Sequence, residues 1–171
     1  MNILTKTLII ASVIFSISIA NAQQYASVKT VNDIVKNYLA IKNSLVADDA
    51  AAAAHRAKEL LKNLSPESEK ALKPEQRKIL NRFVDKLKYD SRHISEVSMI
   101  DHQREHFASL SKNLYEVLKG LRINTASLYE EYCPMKKAYW LSEAQVIKNP
   151  YYGKKMPECG RVTETLVPAT K

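Results

Sequence analysis

A chain of 171 residues has the length of one domain: enough to bury a core, and short for two. With 46% hydrophobic residues, 26% charged residues and only 3 glycines, it is not collagen-like, low-complexity or mostly disordered. Lys and Arg number 26 against 18 Asp and Glu, and the net charge of +8 would suit a nucleic-acid binder in the cytosol. The first residues point to another compartment.

Lys6 is followed by an almost unbroken apolar run from Thr7 to Ile19, and Ala20-Asn21-Ala22 then supplies the small-x-small pattern that a signal peptidase accepts. The run is shorter than the roughly 20 residues a membrane-spanning helix needs. Residues 1–22 are therefore expected to be a cleaved export signal. Residues 23–171 are then a single periplasmic or secreted domain that does not span the membrane and has no nucleic-acid partner. The basic excess is spread over helix faces and reads as a solvated surface.

Thr30-x-x-Asp33 has the form of a capping box, and Val31, Val35, Tyr38, Ile41 and Leu45 follow at three- and four-residue steps, predicting a first helix. Asp48-Asp49 supplies cap candidates for a second helix, with Ala50, Ala54, Ala57, Leu61 and Leu64 on one stripe. Ser65-Pro66 ends it, and Pro74 opens a third helix with Leu80, Phe83, Leu87, Ile94 and Val97 along its apolar edge. Ser98-x-x-Asp101 has the spacing to cap a fourth, whose apolar face is Ile100, Phe107, Leu110, Leu114, Val117 and Leu121, ending near Gly120. Four amphipathic helices with short connections predict an all-α domain built on an antiparallel four-helix bundle over about residues 28–122.

Beyond Gly120 the composition turns to tyrosine, proline and the single tryptophan, Trp140. An irregular aromatic-rich cap is expected over about residues 123–167. Extended stretches are expected near Ser127–Tyr132 and Arg161–Val167, enough for a short β-hairpin, with a short helix around Ser142–Ile147.

Both cysteines fall in this cap, each with a methionine close by, in Cys133-Pro134-Met135 and Met156-Pro157-Glu158-Cys159. Thiolate and thioether are soft donors that suit copper(I). An exported protein with two cysteines also fits a single disulfide from Cys133 to Cys159, which would stabilise the fold by roughly 3 kcal/mol. Both readings stand on spacing alone. His102 and His106 share a helix face and, with Glu105, spell the inverted zinc-peptidase pattern H-x-x-E-H. Boundary histidines account for that pattern far better, because a zinc hydrolase also needs a third ligand and a cleft. Glu130-Glu131 reads as solvated surface, and no phosphate loop, haem attachment or nucleophile elbow is present.

Several runs stand in order along the chain: Tyr38-Leu39, Leu45-Val46-x-Asp48-Asp49, Gln103-Arg104-Glu105-His106-Phe107-Ala108-Ser109-Leu110-Ser111, Cys133-Pro134-Met135, Trp140-Leu141-Ser142 and Asn149-Pro150-Tyr151-Tyr152-Gly153-x-x-Met156-x-x-Cys159-Gly160. The series resembles a bacterial family of secreted domains of unassigned function. Members of that family stand alone behind a signal peptide or are fused to periplasmic adaptor subunits of copper- and silver-type heavy-metal efflux pumps. The resemblance implies a compact helical domain associated with transition-metal handling, with Cys133, Met135, Met156 and Cys159 at its sulfur positions and His106 beside Phe107. The expectation is a non-enzymatic domain that binds copper(I) through Cys133 and Cys159, assisted by Met135, Met156 or His106, and meets an efflux adaptor. The alternative is a disulfide-stapled interaction module without metal.

Overall fold

The computed structural model describes the backbone of residues 3–169 and the side chains of residues 22–169. The expected export signal rests on Lys6 to Asn21, whose side chains lie outside the described ones. Among the described residues six helices precede a small sheet: α1 (Ile3–Val46), α2 (Ala50–Asn63), α3 (Pro66–Lys70), α4 (Pro74–Asn81), α5 (Val84–Glu96) and α6 (Ile100–Leu121). Then come β1 (Leu128–Cys133), β2 (Ala138–Ser142), a 3-10 turn at Gly153–Lys155 and β3 (Arg161–Leu166).

The domain is mostly helical with a small antiparallel sheet at its C-terminal end, and among the described residues six helices stand where periodicity predicts four. The expected third helix is broken at Arg82-Phe83, where both amide N–H groups bond three residues back, to Ile79 and Leu80, and Phe83 leaves helical geometry at φ −125°. Its two halves are α4 and α5, and α3 fills the preceding connection with Pro66 in its first turn. In packing order α2 lies between α1 and α5, while α6 rests on α5 and carries β2 on another side.

Several local expectations shift. Thr30 caps nothing, because α1 runs through it: Gln23 Nε2 and Ser27 Oγ donate to the Ala71 carbonyl at 2.6 and 3.0 Å, docking the preceding turns in helical form. Asp33 instead pairs with Lys29 one turn back. In α2 the buried stripe is Ala53, Ala57, Leu60 and Leu64, so Ala50, Ala54 and Leu61 sit on its half-buried flank. Asp49 does cap this helix, accepting the Ala52 N–H at 2.8 Å. Met99, not Ser98, is the residue before α6, and no side-chain cap forms there; Asp101 turns to Arg104 instead. Gly120 lies inside α6, which ends at Arg122 in left-handed geometry; a Cβ on Gly120 would meet Ile79 Cγ2 at 2.9 Å.

The cap is ordered as an antiparallel sheet in the order β2-β1-β3, with a bulge between Glu130 and Glu131 on the β3 side. The two extended stretches read from sequence are β1 and β3. The expected helix around Ser142–Ile147 does not form, since Ser142 ends β2 and bends follow it. One core joins helices and sheet: Tyr38, Phe107, Leu110, Trp140 and Tyr151 are all buried in it. Tyr38 and Phe107 stack at 5.1 Å. Each large side chain so buried contributes about 1.5–3 kcal/mol by area. The Tyr38 hydroxyl also shares a hydrogen with Ser111 at 2.7 Å and accepts the Leu141 amide at 2.9 Å, fixing β2 against α1 and α6.

Candidate functional site

Cys133 ends β1 with its side chain fully buried, and Cys159 enters from the segment before β3 half-buried, which puts their sulfurs 3.8 Å apart as free thiols. Asn149 holds the second segment in place. Its side chain donates to the Cys159 carbonyl at 2.6 Å and accepts the Tyr151 amide at 2.8 Å, and its own N–H donates to the Pro157 carbonyl at 2.8 Å. Gly160 has to lack a side chain, because a Cβ there would lie 2.7 Å from Trp140 Cη2.

The turn between β1 and β2 closes over the sulfurs. The Lys137 amide donates to the Cys133 carbonyl at 2.8 Å, with Lys137 itself in left-handed geometry. This aims the Lys136 N–H at Cys133 Sγ, 3.4 Å away. A donor placed this way favours sulfur carrying negative charge. Burial, then the Cys133 thiol beside it, still pushes the Cys159 thiol above its ordinary value. A metal ion would supply the opposing attraction, because thiolate is the ligating form.

Of the methionines, Met135 is 64% exposed at the tip of the turn, and Met156 is half-buried with its carbonyl 3.4 Å from the Cys159 amide. His106 does not join the sulfurs. It faces α5, where its Nδ1 lies 3.0 Å from Asp90 Oδ1 and its ring stacks on His93 at 4.6 Å. Among the described residues no three or more His, Cys, Asp or Glu side chains already converge on one metal position. A metal at the thiol pair would complete its shell from thioether sulfur or a partner.

Next to the thiols lies a buried charged group that the sequence reading placed on the surface. Glu131 is fully buried on the inward face of β1, two residues before Cys133 and opposite Trp140 in the register. Burial pushes its carboxyl up to about 7, against the opposing pull of Lys42. Lys42, also buried, gives its ammonium to Glu143 at 2.7 Å. The strand alternation Tyr129, Glu131, Cys133 was the available signal, since Cys133 and Glu131 share a face.

A family model described as a protein of unknown function, DUF3347, matches residues 34–126. The chain belongs to this family. No curated protein and no solved structure matches it. The DUF3347 match spans the helices from within α1 through α6 and ends before β1, so His106 lies inside it and Cys133, Met135, Met156 and Cys159 lie beyond it. Among the described residues no helix is long and apolar enough to cross a membrane.

Proposed function

We propose that this DUF3347 protein is a non-enzymatic periplasmic domain that holds a soft metal ion, copper(I) first among them, between Cys133 and Cys159 and passes it to an efflux adaptor. The observation that carries this reading is the 3.8 Å sulfur separation, with the Lys136 N–H directed at Cys133 Sγ. Two metal–thiolate bonds of about 2.3 Å at a tetrahedral angle put their sulfurs about 3.8 Å apart. Met156, on the segment that carries Cys159, is the better placed of the two thioethers; Met135 at the rim serves in capture or release. The link to efflux rests on the ordered sequence motifs and their resemblance to adaptor-fused domains.

The same adjacency favours a second reading, a disulfide-stapled module that meets a protein partner through its cap. A thiol as buried as Cys133 beside its neighbour is protected once oxidised, and an oxidising compartment favours that state.

Native and denaturing mass spectrometry of the protein exported from copper-supplemented cells, isolated without reductant or chelator, separates the two. Copper retained in the native spectrum and two free thiols after its removal support the metal reading. An empty protein lighter by two hydrogens supports the staple. A Cys133→Ser, Cys159→Ser chain that keeps full copper(I) affinity would overturn the metal reading.

A further inference from the structure

Three of the chain's four histidines meet on one face of the α5–α6 pair. His93 comes from the last turn of α5, and His102 and His106 from successive turns of α6. The His106 ring lies 4.6 Å from that of His93 and 4.9 Å from that of His102. In two of the rings Nδ1 is hydrogen-bonded, His93 to the Tyr89 carbonyl at 2.9 Å and His106 to Asp90 at 3.0 Å, and His102 Nδ1 lies 3.4 Å from the Glu105 carboxylate in an ion-pair contact.

A carbonyl or carboxylate at Nδ1 fixes the hydrogen there and leaves the Nε2 lone pair of the neutral ring free. Metal-ligating histidines show this outer-shell arrangement, in which an oxygen acceptor sets the tautomer and raises the basicity of the ligating nitrogen. Three such rings side by side are an imidazole donor set, and imidazole suits borderline divalent ions rather than the soft ions suited to thiolates.

We propose that His93, His102 and His106 form a capture site for a borderline divalent transition-metal ion such as Zn²⁺, distinct from the thiol pair. Asp90, buried at the foot of the cluster, is its positioning residue. The three Nε2 atoms do not yet converge. Closure requires the rings to turn off their stack, led by His102, which is 40% exposed and has the longest of the three Nδ1 contacts. Zinc takes three such nitrogens at about 2.0–2.1 Å with water as the fourth ligand.

The test titrates ZnCl₂ calorimetrically into the full chain carrying Cys133→Ser and Cys159→Ser, so that thiols cannot contribute. One zinc per chain is expected. His93→Ala, His102→Ala and His106→Ala should each weaken binding at least tenfold, Asp90→Asn ten- to a hundredfold, and His55→Ala, on α2, should leave it unchanged. No zinc uptake, or uptake that survives the three alanine variants, overturns the proposal. Should the cysteine-free chain fail to fold, the imidazole ¹H resonances of the unaltered chain are followed during the same titration. Zinc-dependent shifts in His93, His102 and His106 together support the site, and shifts that spare them overturn it.

Discussion

Arg104 reaches out of α6 to place its Nη2 2.5 Å from Asp48 Oδ1 and 3.1 Å from the Leu45 carbonyl, while its Nε donates to the Pro150 carbonyl at 2.9 Å. One nearly buried guanidinium thus ties the end of α1, the middle of the helical layer and the segment leading to Cys159. Asp48 sits in left-handed geometry to meet it, and Gly153, also left-handed, leaves room that a Cβ would take from both Asp48 and Arg104. Arg104→Met should cost about 3 kcal/mol, because it takes a donor from four acceptors, the Asp48 and Asp101 carboxylates and the Leu45 and Pro150 carbonyls. Chemical denaturation of the variant reads this directly; a loss under about 1 kcal/mol would mean that the clamp is dispensable.

The Asp48 end of that clamp sets an acid limit. The bound Arg104 guanidinium holds the Asp48 carboxyl below its ordinary 3.8. A carboxyl depressed by folding adds stability above its unfolded value and loses it as the pH falls through the folded value. Unfolding midpoints should therefore fall below about pH 3.8, and Asp48→Asn should flatten that limb. Parallel limbs in the two proteins would remove Asp48 from the account.

Glu131 acts with the opposite sign. Its carboxyl is pushed up from an ordinary 4.5 to about 7 by burial, with both oxygens and the neighbouring Trp140 indole N–H lacking a well-formed hydrogen bond. The unfolded chain gives up this proton first, so stability should fall as the pH rises from about 4.5 to about 7 and level off above. Each pK unit between the two states is worth about 1.4 kcal/mol. Glu131→Gln should abolish this slope and raise the melting temperature at pH 8. A variant less stable than the parent at pH 8 would show that the ionised carboxylate is paired after all.

How much of this was legible in the sequence follows the reach of the forces involved. Apolar periodicity located the α1, α5 and α6 faces, and β-branched and aromatic runs located β1 and β3, because each signal is local. The break at Phe83, the passage of α1 through Thr30 and the shifted stripe of α2 depend on neighbours, Ala71 among them, that no local window contains. The cysteines' meeting was open to a guess from their shared surroundings. The partition of His106 away from them was not, since it depends on Asp90 of α5. Gln103, Arg104, Asn149 and Gly160 stand in the runs that carry the resemblance, yet here their work is structural: Gln103 alone donates to the carbonyls of Ala50, Ile94 and Val97.

Asn149 offers a test of how the Cys159 segment is held. Asn149→Ala removes the donor to the Cys159 carbonyl and the acceptor for the Tyr151 amide in a fully buried site, at about 1–3 kcal/mol for each group left unsatisfied. Its loss should slow disulfide formation between Cys133 and Cys159 under a fixed glutathione ratio, since the sulfurs lose their imposed proximity. Unchanged kinetics in a folded variant would show that the β1–β2 turn alone aligns them.

The two thiols should also differ sharply towards an alkylating agent. Cys133 has no exposed surface, whereas Cys159 is half-buried with its thiol pushed above its ordinary value by burial and by Cys133. Alkylation needs the thiolate and a path to it. At pH 8 iodoacetamide should therefore modify Cys159 first and more slowly than a free cysteine. Cys133 should react only at the rate at which the sheet opens, a rate that rises in Arg104→Met because that variant loosens the segment covering it. Peptide mapping over time distinguishes the sites, and equal labelling of both in the native chain would contradict the buried placement of Cys133. Prior loading with copper(I) should protect both thiols together if they share one ion, because neither sulfur is then free to act as a nucleophile.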